Sequence, residues 1–415
     1  MAPVSRRVVV TGLGMVTPLG NDVATTWAGL LAGASGIGPV TRYDARRNDT
    51  HFAGEVKGFD PEEYVDRREA RRMDRFAQFA LASARQALAQ SGLAIEEGNS
   101  DRVGAIVGTG IGGIETLSAQ FGVLHERGPG RLSPFLSTMM LANMAAGQIG
   151  IQMGCRGPNY ASISACASGA HAIGESFEII RRGAADAMIA AGGEAPIVEI
   201  GLGNFNAMRA LSTRNHDPRG ASRPFDAERD GFVIAEGGGA LVLETLDHAR
   251  ARGATILAEV VGYGATADAH HVSSPPDSGE GAARAMRIAL GMGDIAPHEV
   301  GYLNAHATST GIGDIAETNA IKSVFGDHAR ALAVSSTKSM TGHLLGAAGA
   351  IETVFCIQVL REGIAPPTIN QTSPDPQCDL DYIPNAARPV RTDVVLNNSF
   401  GFGGQNASLI LRRAP

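Results

Sequence analysis

Apolar runs of strand length alternate along this chain with stretches that repeat at helical spacing, and no other feature restricts the fold as much. Val8-Val9-Val10 lead into Thr11-Gly12-Leu13-Gly14 and read as a buried strand. Phe76, Phe79, Ala80, Ala84, Ala87 and Leu88 recur at helical spacing, and Gly92 supplies a stop. Residues 103–107 and 187–191 read as two more buried strands, the second ending in Gly192-Gly193. Such alternation calls for an α/β fold. The apolar segment 256–261 then runs into Gly262-Tyr263-Gly264, an echo of the first strand and its Gly12-Leu13-Gly14. The echo points to two related halves joined near residue 250. No low-complexity linker separates them, so one compact unit is expected.

Composition sets the class. Of 415 residues, 44% are hydrophobic and 19% charged, an ordinary globular balance. The net charge of −7 speaks against a nucleic-acid binder, which would be basic. It leaves room for a local basic patch facing an acidic partner. The four cysteines, Cys155, Cys166, Cys356 and Cys378, form no C-x-x-C pair, which disfavours a zinc or redox motif and fits a reduced, cytoplasmic setting. Arg6-Arg7 before the valines could open a signal peptide, but the glycines interrupt the apolar run and a first strand reads better. No stretch is long and apolar enough to span a membrane.

Four segments carry candidate chemistry. Ser162-Ile163-Ser164-Ala165-Cys166-Ala167-Ser168 runs from strand-like residues into a helical repeat of Ala170, Ile173, Phe177 and Ile180. Cys166 therefore stands at a strand-to-helix junction. There a helix N-terminus favours the thiolate and should lower the thiol pKa. The competing reading is a buried structural cysteine. His306 lies in Asn304-Ala305-His306-Ala307-Thr308-Ser309-Thr310, a polar cluster after a short apolar lead. His343 closes Ser335-Ser336-Thr337-Lys338-Ser339-Met340-Thr341-Gly342-His343, just before a helix with Ala347, Ile351, Val354 and Phe355 on one face. A helix start favours neutral imidazole. Asn397-Asn398-Ser399-Phe400-Gly401-Phe402-Gly403-Gly404 reads as a flexible loop with an apolar plug, or as a plain turn with core aromatics. Gly108-Thr109-Gly110-Ile111-Gly112-Gly113 matches G-x-G-x-x-G. No acidic residue ends a following strand, so a glycine-rich turn lining a pocket is preferred to a dinucleotide site.

Taken together these segments resemble the beta-ketoacyl-acyl carrier protein synthases of the synthase II type, condensing enzymes of the thiolase superfamily. The resemblance runs from Val8 to Phe402 and is most specific in the block from Val334 to Ala350 that holds Lys338 and His343. It implies the thiolase fold, two duplicated halves in five αβαβα layers. Residues 1–250 would carry the nucleophilic cysteine and 251–415 the two histidines. It implies a homodimer acting on substrates carried by the phosphopantetheine arm of acyl carrier protein, with no metal or redox cofactor. Residue by residue, Cys166 would accept the acyl chain, and His306 and His343 would handle malonyl decarboxylation. Lys338 would stand near them with Glu352 as its ionic partner. Phe402 would gate the cysteine on a Gly401 hinge, and the backbone N–H groups of Cys166 and Phe402 would hold an oxyanion. Thr308 and Thr310 match pantetheine contacts, Ile111 and Phe205 the acyl pocket, and Arg68, Arg71, Arg72 and Arg209 a carrier-protein patch. Those arginines also read as a solvated face.

The chain departs from the family's pattern at Ala167, Ala307 and Gly311, and at Asn204 and Asn206, which flank Phe205 where glycines are common. The last two bear on the preferred chain length. Three rivals remain: a degradative thiolase, which would use a second reactive cysteine close to the C-terminus, where Cys378 lacks a suitable Gly-rich setting; a polyketide ketosynthase; and a non-catalytic chain-length subunit. Cys166 speaks against the last.

Overall fold

The computed structural model describes residues 6–415. Its main sheet has β1 (Val8–Val16), β2 (Val103–Gly108), β3 (Asn159–Ser162), β4 (Ala187–Glu194) and β5 (Gly237–Thr245). It continues with β6 (Ala258–Ala267), β7 (Val300–Asn304), β8 (Ala333–Ser335), β9 (Val394–Gly401) and β10 (Gln405–Arg413). The hydrogen-bonded order is β8-β7-β9-β10-β6-β1-β5-β4-β2-β3. From either end inward the sequence is the same: 3-2-4-5-1 in one half and 8-7-9-10-6 in the other. Directions repeat too. β2 runs parallel to β3 and β4, as β7 does to β8 and β9. The β4–β5 and β5–β1 pairs are antiparallel, as are β9–β10 and β10–β6. The halves meet where residues 8–10 pair with residues 258–260. This is the duplicated, five-layer thiolase architecture.

The helices that position the site are α1 (Arg75–Ser91), α2 (Ile114–Arg127), α3 (Ser168–Arg181), α4 (Glu199–Ala207), α5 (Glu280–Gly293), α6 (Gly311–Phe325) and α7 (Ala348–Glu362). α1 covers the outer face of the first half; α5, with α6 beside it, covers the second; α3 and α7 pack between the halves. α1 forms where the spacing places it, started by the Asp74 cap and stopped by Gly92 in the left-handed region at φ 63. The paired Gly-x-Gly segments have one physical cause. A Cβ on Gly12 or Gly14 would sit 2.0 Å from a carbonyl oxygen of α1, and one on Gly262 or Gly264 would sit 2.1 or 1.9 Å from a carbonyl of α5. Glycine lets each helix lie directly on its strand.

Three local expectations are corrected. α7 buries not one face but every residue from Ala348 to Leu360, because a middle layer has no solvent side. The stretch 397–401 is not a flexible loop but the end of β9, followed by a tight turn with Gly403 and Gly404 at φ 83 and 69. The glycines of 108–113 do not line the main cavity. They pack instead: a Cβ on Gly108 would lie 2.3 Å from the Ser168 carbonyl, and one on Gly113 2.2 Å from that of Met139.

Candidate active site

β3 ends at Ser162, and after a single turn at residues 165–167 the chain enters α3. Ala165 takes φ 49, a left-handed conformation costly for a residue with a Cβ. Ser168 holds it there: its Oγ accepts from the Ser164 N–H at 2.8 Å and donates to the Ala165 carbonyl at 2.7 Å. The strained turn lifts Cys166 to the helix start with its side chain on a cavity. Gly401 closes over it. A Cβ there would come within 2.5 Å of the Ser164 carbonyl and 3.2 Å of the Cys166 nitrogen. Gly401 is thus needed for close approach, while the left-handed backbone lies at Gly403 and Gly404.

The thiol does not have the lowered pKa expected from the helix start. Burial pushes Cys166 up to about 12, against the opposing pull of the Lys338 charge and of the backbone N–H groups of Phe402 and Cys166. Desolvating a thiolate costs more here than those dipoles return. The same two N–H groups are the pair expected to hold an oxyanion.

His306 follows β7 by two residues. A buried carboxylate, Glu317 on α6, fixes its backbone by accepting from the N–H of His306 at 3.0 Å and of Ala307 at 2.7 Å. Asn398 Nδ2 donates to the same carboxylate at 3.0 Å. His343 is pinned like a strand residue: its N–H donates to the Val233 carbonyl at 2.7 Å, and its carbonyl accepts from Ala235 at 2.9 Å. The imidazole rings stand edge to face, centroids 5.3 Å apart at 83°. The Cys166 Sγ and one nitrogen from each ring lie within 4.8 Å of one another. His306 Nδ1 and both ring nitrogens of His343 have no hydrogen-bond partner among the described residues. Both imidazoles are held well below their usual pKa, first by burial and then by the Lys338 charge, and for His306 also by His343. They are neutral at pH 7, with burial rather than the helix start as the main cause. A neutral imidazole can donate one N–H to an oxygen that gains charge.

Lys338 is only 1% exposed, and its Nζ donates to Glu352 on α7 at 2.5 Å. Burial raises the Glu352 carboxyl to about 7, and Lys338 pulls the other way. The fixed cation keeps protons off both histidines.

A cavity of about 420 Å³ joins these groups. Cys166, His306, His343, Thr308, Thr310, Phe205, Gly401 and Phe402 line it, and Met208 and Arg209 lie on its wall. Ser309, at φ 72, separates the two threonines, whose hydroxyls approach to 3.3 Å. Phe205 packs edge-on to Phe232 and faces Phe402 at 6.5 Å. Ile111 is not on the cavity wall. It is 36% exposed, its N–H drawn to Glu194 at 3.2 Å. Arg68 and Arg71 are exposed and share a concavity with Arg72, whose guanidinium lies 4.7 Å from the Phe135 ring centre and pairs with Glu69. Arg209 belongs to the main cavity and does not line that concavity. Cys378 does not line the cavity but packs in the core near Phe225 and Tyr382.

Sequence reasoning missed Glu317, Glu194 and Phe232. The available signal for Glu317 was an acid on the apolar stripe of a helix, where a charge needs a partner.

Residues 5–249 match the family described as beta-ketoacyl synthase, N-terminal domain, and residues 257–372 its C-terminal domain. The chain belongs to the beta-ketoacyl synthase family. It is 51% identical over 408 residues to a 3-oxoacyl-[acyl-carrier-protein] synthase 2 of Synechocystis, covering 98% of each chain. A beta-ketoacyl synthase crystal structure from Burkholderia phymatum superposes with a TM-score of 0.92 at 38% identity, covering 99% of this chain and 100% of that one. A type II polyketide ketosynthase, solved in complex with its acyl carrier protein and bound to the hexaketide, superposes at 0.89 with 35% identity over the same shares. A cysteine with two histidines is also a donor set suited to zinc. The same three atoms are equally suited to act as a nucleophile and two hydrogen-bond donors.

Proposed function

We propose that this chain lengthens an acyl chain by two carbons through decarboxylative condensation in fatty acid biosynthesis, with Cys166 as the acyl site and His306 and His343 as the decarboxylating pair. The observation that carries the reading is the meeting of one thiol and two neutral imidazoles within 4.8 Å on the wall of a single cavity. Acyl-carrier-protein thioester enters first. Cys166 sulfur attacks its carbonyl, the N–H groups of Cys166 and Phe402 hold the oxyanion, and the carrier leaves. The proton of the buried thiol leaves the sulfur during attack and ends on the departing carrier thiolate. Malonyl-carrier then binds with its pantetheine arm against Thr308 and Thr310. Loss of carbon dioxide places charge on its thioester oxygen, where N–H groups of His306 and His343 receive it. The carbon nucleophile attacks acyl-Cys166, its C–S bond breaks, the thiolate takes up a proton from solvent, and beta-ketoacyl-carrier is released. No step calls for a metal.

Lys338, held by Glu352, keeps the imidazoles neutral as donors. Phe402 acts as the gate beside Gly401, and Phe205 as the wall of the acyl pocket. The half before residue 250 supplies the nucleophile and the half after it the histidines. Arg68, Arg71 and Arg72 form a docking patch for an acidic carrier protein, with Arg209 at the cavity. The setting is cytoplasmic; among the described residues no helix is long and apolar enough to cross a membrane. A homodimer is supported by the open edge of β3 and by exposed Phe121, Phe135, Leu141, Tyr160 and Ile163. Such an interface would also cover Ile111. The ketosynthase of a type II polyketide-like pathway is the second reading, favoured by the 35% identity to the carrier-bound polyketide enzyme. The 51% identity to a synthase 2 favours the first.

The test is elongation of acyl-carrier by malonyl-carrier, with intact mass measured on the enzyme. The wild type should gain one acyl group and form product. Cys166→Ala should gain none and lose about 10⁴-fold or more in turnover, as removal of a nucleophile does. An acyl adduct that survives in Cys166→Ala would overturn the assignment. Repeated extension of unreduced beta-keto chains would favour the polyketide reading.

A further inference from the structure

α4 carries Phe205, and Met208 and Arg209 follow directly beyond its end; all three lie on the cavity wall. The helix has little to hold it locally. Val198 at its N-cap makes no side-chain cap, and its last turn contains Asn204 and Asn206, residues that favour turns over helix interiors. Its anchors come from the distant segment 48–50. Asn48 Nδ2 donates to the Glu199 carbonyl at 3.2 Å, at the start of α4. At the other end, Asn206 Nδ2 donates to Thr50 Oγ1 at 2.8 Å, and Asn206 Oδ1 accepts from the Thr50 N–H at 3.3 Å. The Thr50 hydroxyl donates onward to the Ser212 carbonyl at 2.8 Å. Asn206 is 9% exposed and Thr50 1%, so water cannot easily replace these bonds.

We infer that Asn206 and Thr50 form a clamp that sets the length of acyl chain the site accepts. The inference rests on the reading of Cys166 as the acyl site. Cys166 and Phe205 belong to one apolar cluster with Ile197, Leu202, Phe232 and Leu345. A chain on the cysteine sulfur grows into that cluster and meets the Phe205 ring, which is braced 5.3 Å from Phe232. A longer chain needs the wall to withdraw. With the ring braced, withdrawal means moving α4, and the clamp opposes that movement from the far side. Asn206 and Thr50 touch neither the chain nor the reacting atoms; they are positioning residues that act through Phe205.

The experiment compares wild type, Asn206→Ala, Thr50→Val and Thr50→Ser in elongation of acyl-carrier substrates from short to long in two-carbon steps. Melting and the acyl mass on Cys166 are recorded alongside. Thr50→Val keeps the shape and removes the hydroxyl; Thr50→Ser keeps the hydroxyl. Asn206→Ala and Thr50→Val should raise kcat/KM for the longest acceptors about fivefold, the effect of one buried hydrogen bond, and leave short acceptors unchanged. Thr50→Ser should keep the wild-type profile. Normal acylation with an unmoved profile in both clamp variants, whatever their melting, would overturn the clamp alone. Absence of any acyl adduct on wild-type Cys166 would overturn the parent reading and the clamp with it.

Discussion

The loops after β2 and β7 are built alike and used differently. Each begins two residues beyond its strand with a pair of N–H groups that point at one buried carboxylate. Glu194 receives Gly110 at 2.6 Å and Ile111 at 3.2 Å; Glu317 receives His306 at 3.0 Å and Ala307 at 2.7 Å. Burial raises both carboxyls to about 7. The helix junctions below them match as well. Ala165 at φ 49 precedes Cys166 and α3, and Leu345 at φ 46 precedes Gly346 and α7. The loops are crossed between halves: His306 of the second half lies by Cys166, and Gly110 of the first lies by Gly346, whose N–H also donates to Glu194 at 2.9 Å. Where the loop brings histidine and the turn brings cysteine, there is a cavity. Where both bring glycine, the space is filled. One scaffold thus supplies a reactive junction and a sealed one, and a few side chains decide which is which.

The largest effect should come from asking whether the helix start or the burial governs the reactive junction. If burial wins, Cys166 titrates up to about 12, and the thiolate is a trace species at neutral pH that grows about tenfold per pH unit. Alkylation of Cys166 by iodoacetamide should then rise by about 10³ between pH 6 and pH 9 without levelling. A plateau by pH 7 would mean that the helix start and the two N–H groups hold a preformed thiolate.

Next comes the loop that distinguishes the reactive junction. His306→Ala or His343→Ala should slow release of carbon dioxide from malonyl-carrier by ~10²–10³-fold, as loss of an oxyanion donor does. Acylation of Cys166 should fall less, because its own oxyanion donors are backbone groups. Labelled carbon dioxide and enzyme mass, measured in parallel, separate the two steps. Lost acylation with decarboxylation intact would reverse the assignment and make the histidines the base of the nucleophile.

Much of this was legible in the sequence because local physics wrote it there. The strands before Gly12 and Gly262, the helix from Phe76 to Leu88, and the junction at Cys166 follow from apolar period and glycine placement. Cys166, His306 and His343 stood out in their own segments, the role of Lys338 came from the family resemblance, and the fold brings all four within one region. What failed was whatever depends on the third dimension. The thiol pKa went the wrong way because a dipole can be seen in sequence and desolvation cannot. α7 looked one-sided because helical spacing marked only the face of Ala347, Ile351, Val354 and Phe355, yet Glu352, Thr353 and Gln358 are buried too, in a middle layer. Glu194 and Glu317 were overlooked because most of their partners are backbone N–H groups, more than 80 residues away for Glu194 and 10 or 11 away for Glu317, and such groups leave no trace in residue identity.

The smallest effect tests the sealed junction. Cys166 keeps a Cβ because the space beyond it is cavity. At Gly346 a Cβ would meet the Gly110 nitrogen at 2.2 Å, the Thr109 carbonyl carbon at 2.5 Å and Glu194 Oε2 at 2.7 Å. Two of these are backbone atoms held by Glu194, so they cannot rotate aside. Gly346→Ala should therefore cost about 2 kcal/mol, in the range of overpacked cores, read from the urea midpoint. Cys166→Ala, which retains the Cβ, is the control and should lose less than about 1 kcal/mol. The added methyl would push Leu345 toward the cavity that it lines, so elongation should fall several-fold, with short acceptors affected as much as long ones. Equal midpoints for the two variants would show that the 109–110 loop yields freely. The contrast between an open and a filled junction would then rest on the cysteine and histidine side chains alone.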